Sequence, residues 1–213
     1  MPVEQRDDEI RISAPLTDDD IAQLRAGQHV RFYGTIYTAR DAAHRRLMAA
    51  AEKGEPLPVE LKGQIIYYVG PTPPRPGRII GSAGPTTSVR MDPFTPKLLD
   101  LGVKMTIGKG GRGPLVQRAL QQHKAAYCLA IGGAGALLSK SIRSVEVIAY
   151  EDLGTESIKK LEVEGFAAIV CCDMLGGDLL QQGKDQWRQQ DKLGSYTPVA
   201  PVATDDHNGG GAA

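Results

Sequence analysis

Between residues 29 and 172 short apolar runs alternate with stretches of helical character, and glycine or proline punctuates almost every junction. This alternation constrains the fold more than any other feature, because it specifies strands interleaved with helices, an α/β domain. From His29 to Thr38 the β-branched and aromatic residues Val30, Phe32, Tyr33, Ile36 and Tyr37 predict a strand bent at Gly34. Ala39 to Lys53 is alanine-rich and predicts a helix, stopped by Gly54, Pro56 and Pro58. Further strands are expected at 64–70, 78–80, 103–107, 126–131, 145–150 and 167–172, and helices at 93–102, 114–124, after the 132–135 turn and around 155–161. Thr17 with Asp18, Asp19 and Asp20 marks a short opening helix ended by Gly27.

The chain has 213 residues, 41% of them hydrophobic, enough to bury a full core in one domain, assigned here to residues 1–190. Residues 191–213 are rich in Pro, Ala, Gly and Asp and read as a flexible tail. Lysines and arginines balance aspartates and glutamates, so no global field draws the chain to nucleic acid, and any anion site must be local. No run approaches the roughly 20 apolar residues of a membrane span, and the N-terminus lacks the apolar core of a signal peptide. A cytoplasmic location is expected. Cys128, Cys171 and Cys172 form neither a disulfide framework nor a CxxC pair and read as core thiols.

Two loops carry the chemistry. Gly84-Pro85-Thr86-Thr87-Ser88-Val89-Arg90-Met91-Asp92 and Ile107-Gly108-Lys109-Gly110-Gly111-Arg112-Gly113 join glycine-permitted backbone to hydroxyls and fixed cations, the requirements for gripping a small anion such as a dicarboxylate. Gly108-x-Gly110-x-x-Gly113 matches the dinucleotide fingerprint in letters. The ribose-binding acid due roughly 20 positions later is missing, however, and Lys109 stands where pyrophosphate meets bare backbone. A P-loop is excluded because Gly110, instead of Ser or Thr, follows the lysine. A plainer reading has the first loop's hydroxyls capping a helix while Arg90 pairs with Asp92 at the surface. Arg40 lies at a strand-to-helix junction from which it can enter a cleft. His44, one turn on, is either its partner or a buried, satisfied histidine.

Five segments, TARDAAHRRL (38–47), GPTTSVRMDPFTPKLLDLG (84–102), IGKGGRGP (107–114), AIGGAGALL (130–138) and EVIAYEDLG (146–154), occur in order and resemble the β subunit of class I fumarases. The β subunits of L-tartrate dehydratases share the arginine-aspartate-histidine, GPTTS and GKGG elements; MDPFTPKLLDLG and EVIAYEDLG look more like the fumarase branch. The resemblance implies a swivelling β/β/α domain, a mixed sheet with flanking helices, that closes on a separate α subunit in an α2β2 heterotetramer. It also implies a [4Fe-4S] cluster bound by that α subunit, whose unique iron acts as a Lewis acid on the substrate. By the same resemblance, Arg40, Arg90 and Lys109 would hold the dicarboxylate and Thr86 would act as base at carbon. That role needs neighbouring cations to stabilise an alkoxide. Between residues 170 and 178 the chain departs from the family pattern, which has more acids there. Tartrate dehydration and a non-catalytic anion-binding module are the competing expectations.

Overall fold

The structure is a computed structural model describing residues 2–6 and 9–189. Eight strands form one mixed sheet: β1 (Val3–Arg6), β2 (Glu9–Ile12), β3 (His29–Thr38), β4 (Ile65–Tyr67), β5 (Met105–Gly108), β6 (Ala126–Leu129), β7 (Ile142–Ala149) and β8 (Ile158–Cys172). β3, β4, β5 and β6 run parallel in sequence order; β8 then pairs antiparallel with both β6 and β3, so these five strands close into a ring. Tyr67 of β4 and Phe166 of β8 meet edge to face across its interior, with ring centroids 5.0 Å apart.

A period of two sorts the side chains of β4 and its extension. Ile65 and Tyr67 join Phe32, Met105, Ile107, Phe166 and Val170 inside the ring. Ile66 and Tyr68 face outward, where α2 (Asp41–Glu52), α3 (Thr95–Asp100) and α4 (Pro114–Gln122) cover them with Leu47, Leu98, Val116 and Leu120. With both faces covered, β4, β5 and β6 are buried along almost their whole lengths, which is why they read as unbroken apolar runs. The expected capping box forms on α1 (Asp18–Ile21): the Thr17 side chain accepts from Asp20 N–H, and the Asp20 carboxylate accepts from Thr17 N–H at 2.8 Å.

The structure corrects two expectations. Residues 155–161 are not a helix: a 3-10 turn over Glu151–Glu156 leads directly into β8. Ile158, Leu161, Val163, Phe166, Ala168 and Val170 are buried there, with more exposed residues between them, so β8 is a single 15-residue strand. Its turn to the second register is made at Gly165, which has φ +68° and lies opposite the break between Phe32 and Tyr33. Residues 78–80 form no strand; they belong to a proline-rich connection braced by hydrogen bonds between Thr72 and Ser82. The β1–β2 hairpin, whose strands are largely polar, and α5 (Leu179–Trp187) were not anticipated. The 191–213 tail lies outside the described residues.

Candidate active site

Beyond Tyr68, whose N–H donates to Ile107 O at 2.8 Å, the parallel strands β4 and β5 splay apart, and residues 85–88 fill the wedge. On one side Pro85 bridges antiparallel to Val69 and Thr86 N–H donates to Tyr68 O at 2.7 Å; on the other, Thr87 bridges parallel to Lys109. Lys109 N–H donates to Thr86 O at 3.1 Å, and Ser88 N–H donates to Lys109 O at 2.8 Å. The two loops singled out in the sequence are therefore one backbone assembly at the C-terminal ends of parallel strands, the usual ligand edge of an α/β sheet. Gly108 makes the seat: a Cβ there would lie 1.9 Å from Ser88 Oγ and 3.2 Å from Thr86 O, so no side chain fits.

Asp41 gathers both candidate arginines. At the first turn of α2, its carboxylate lies 3.2 Å from Arg40 Nε and 2.8 Å from Arg90 Nη2, and it also accepts from Arg90 Nε at 3.0 Å. Burial opposes its charge, but the backbone N–H, the Arg40 hydrogen bond and the Arg90 guanidinium together hold its pKa below the usual aspartate value. Glu156, on the turn before β8, lies 3.4 Å from Arg40 Nε and accepts from Ala42 N–H at 2.8 Å. Arg40 reaches both carboxylates through Nε. Its side chain lies against Gly70, the residue after the Val69–Pro85 bridge, which places the guanidinium beside the Thr86 segment.

The expected surface pair of Arg90 with Asp92 does not form. Asp92 instead accepts from Arg112 Nε at 2.8 Å and from Gly113 N–H at 2.7 Å. The Arg112 side chain is wholly buried over the rings of Tyr68 and Tyr127 and also hydrogen-bonds Thr95 Oγ1. Tyr127 donates to Gly110 O at 2.7 Å, and its hydroxyl lies 2.9 Å from Ser88 Oγ. Arg112 thus locks the second loop to the first, a role the sequence reading missed although GGRG was in view.

Two polar groups in this assembly have no partner among the described residues. Thr86 Oγ1 and Lys109 Nζ have no hydrogen bond or ion pair among the described residues, and the Lys109 stem runs past Gly132 on the next loop. Arg40, Arg90, Thr86 and Lys109 line neither groove, of about 580 and 680 Å³, found elsewhere on the surface. The candidate site lies outside both. Around it Val89, Leu115, Ile131 and Leu137 stand more than half exposed on the segments that follow β4, β5 and β6.

His44 is buried, as one of the two readings had it, but only half satisfied. Nδ1 lies 2.8 Å from Arg40 O and must carry the proton, since a carbonyl only accepts, while the buried Nε2 has no partner among the described residues. Burial lowers its pKa to about 4, the Arg40 hydrogen bond opposing and the Arg112 charge reinforcing the shift.

The cysteines do not fit an iron–sulfur cluster. Cys128 belongs to the core inside the ring and touches Met105 Sδ at 3.7 Å, whereas Cys171 and Cys172, with Sγ atoms 3.9 Å apart, belong to the core under the helices. The three thiols are divided between two cores, and none belongs to the segments that carry Thr86 and Lys109.

The family model described as fumarase C-terminus matches residues 2–183. This chain belongs to that family. It is 37% identical over 175 residues to a putative class I fumarate hydratase of Geobacillus stearothermophilus, covering 80% of this chain and 33% of the relative. To the aerobic class I fumarate hydratase of Escherichia coli K12 it is 39% identical over 164 residues, covering 76% and 30%. To the L(+)-tartrate dehydratase subunit beta of the same organism it is 33% identical over 178 residues, covering 81% and 87%. The chain spans about a third of the length of the fumarate hydratases and nearly all of the tartrate dehydratase subunit. No helix among the described residues is long and apolar enough to cross a membrane.

Proposed function

We propose that this chain is the β subunit of a two-subunit iron–sulfur hydro-lyase of the cytoplasm that reversibly hydrates fumarate to L-malate. The observation that carries the reading is the pairing of a free hydroxyl, Thr86, with a free ammonium, Lys109, on one hydrogen-bonded backbone beside the Arg40–Asp41–Arg90 cluster. In this reading residues 1–190 act as a swivelling catalytic domain. The [4Fe-4S] cluster is held by the α subunit, since this chain's thiols cannot hold it, and the assembly is an α2β2 heterotetramer. The exposed Val89, Leu115, Ile131 and Leu137 support closure against that partner.

Arg40 and Arg90 bind the substrate carboxylates through guanidinium nitrogens, and the shared Asp41 holds both forks in place before substrate arrives. The Lys109 ammonium adds a third cation to the carboxylate pocket. In hydration Thr86 Oγ1 gives its proton to one alkene carbon while the hydroxyl is delivered to the other from the partner's side; in dehydration Thr86 takes that proton back. Lys109 and Arg90 stabilise the alkoxide formed.

L-Tartrate is the second reading, favoured by the β subunit of tartrate dehydratase, which the match covers almost end to end. Anaerobic affinity purification of the chain from its own cells, with the eluate assayed for loss of fumarate and for oxaloacetate from tartrate, separates the two. A second, brown chain with fumarate turnover is expected. An inactive single chain would defeat both readings. Arg90→Ala, at a half-exposed side chain that leaves no core cavity, should cut kcat/KM at least about a hundredfold with the fold intact. Near-normal kinetics in a folded variant would remove Arg90 from the site.

A further inference from the structure

Behind the Gly84 loop lies a second basic feature, which the proposed reaction does not use. The connection from Thr72 to Ser82 and the segment from Ala136 to Arg143 enclose a groove of about 680 Å³ whose lining includes Arg75, Arg78, Lys140 and Arg143 and no acidic residue. Arg143 is paired with Glu164 at 2.8 Å and donates to Lys140 O at 3.2 Å. Arg75, Arg78 and Lys140 have no ion pair among the described residues, in contrast to Arg40, Arg46, Arg90 and Arg112, each of which has one.

The wall that presents these charges is pre-organised. Pro71, Pro73, Pro74 and Pro76 fix their own φ angles, and the two ends of the connection are tied by Thr72 N–H to Ser82 O at 3.0 Å and Ser82 N–H to Thr72 Oγ1 at 2.8 Å. Gly81 passes so close to Thr72 that a Cβ would lie 2.3 Å from its carbonyl oxygen. Three like charges held over one concavity repel one another until an anion neutralises them, and a single carboxylate cannot do so. Guanidinium forks match phosphate oxygens in geometry, and the groove has the volume of a small-molecule site.

We propose that this groove binds a polyphosphate-bearing anion, the chemistry shared by a free polyphosphate chain and a nucleoside triphosphate. The site has a structural route to the loops of the candidate active site. Ala83 N–H donates to Gly135 O at 3.1 Å, and Gly135 packs on Gly84 so closely that a Cβ would lie 2.8 Å from Gly84 N. Resting on the functional reading above, occupancy of the groove then sets the position of the 84–88 loop and modulates turnover.

The test is isothermal titration of the full chain with inorganic tripolyphosphate and, separately, with a nucleoside triphosphate, in about 0.15 M salt where loose surface attraction is screened. Single-site saturable binding is expected, weakened about tenfold or more in the triple variant Arg75→Gln/Arg78→Gln/Lys140→Gln and unchanged in Arg118→Gln, a control at an exposed arginine of α4 outside the groove. Circular dichroism verifies that the triple variant is folded; all three positions are exposed. Equal binding of both probes supports the proposal with the phosphate chain as the ligand, and tighter binding of the nucleotide supports it with the base contributing. Absence of saturation, binding untouched by the triple variant, or a triple variant that keeps tripolyphosphate but loses its partner subunit would each overturn it. The titration requires no turnover, so its failure is distinct from failure of the hydro-lyase reading.

Discussion

His44 should make this protein acid-sensitive by an amount that follows from its surroundings. Its ordinary pKa of 6.5 falls to about 4 in the fold, because the buried ring stacks on Phe94 with Nε2 unpartnered and the Arg112 charge nearby. Arg40 O and the Asp41 carboxylate oppose the shift without cancelling it. Between those two values the unfolded chain binds a proton that the folded chain refuses, so stability falls as pH drops from about 6.5 and levels off below about 4. At 1.36 kcal/mol per pKa unit the whole effect is about 3 kcal/mol, of which about 2.5 kcal/mol is lost by pH 4.5, a large share of the roughly 5–15 kcal/mol that holds a domain together. Asparagine at position 44 can still donate to Arg40 O but cannot titrate. Urea unfolding followed by circular dichroism at pH 7, 5.5 and 4.5 should show wild type losing about 2.5 kcal/mol more than His44→Asn between the end points. Parallel pH profiles would refute the reasoning, because the remaining titrations are common to both proteins.

Gly108→Ala drives a methyl into Ser88 Oγ and should cost about 1–3 kcal/mol in thermal or urea unfolding while moving the Thr86 loop enough to depress turnover. Arg112→Ala leaves Asp92 without its buried counter-charge and should lose about 3–5 kcal/mol, against almost nothing for the exposed Arg118→Ala measured alongside. Cys171→Ala should leave the iron content of the purified complex unchanged; lost iron, measured by colorimetric assay, would mean that this chain supplies a cluster ligand.

What the sequence disclosed was set by where each element gets its stability. β4, β5 and β6 are covered on both faces and announce themselves as apolar runs, and the capping box of α1 is a local device visible in four letters. β8 was read as a helix and a short strand because Lys159, Lys160, Glu162 and Glu164 interrupt its apolar pattern. Its identity comes from partners far away, β3 along most of its length and β7 and β6 along its other edge. The same holds for β1 and β2, whose polar strands are justified by pairing with each other and with β3. Ring closure is a property of those long-range pairings and has no local signature.

The candidate site shows the limit more sharply, because motif letters do not distinguish a cation that builds the site from one that serves a ligand. Arg90, Lys109 and Arg112 fall within two neighbouring glycine-rich motifs, and nothing in their letters sets Arg112 apart. Burial separates them. Arg112 has no exposed side chain and spends its guanidinium on Asp92, Tyr68 and Thr95, so its charge is consumed in joining the loops. Lys109 is exposed and unpaired among the described residues, and Arg90, half exposed, shares Asp41 with Arg40 while keeping one terminal nitrogen out of that pairing. A buried ion pair is costly to break from either side, whereas a shared, partly exposed carboxylate is a partner that an incoming dicarboxylate can rival. Substitution of Arg112 should therefore appear first as lost stability, and substitution of Arg90 or Lys109 as lost turnover in a protein that still folds.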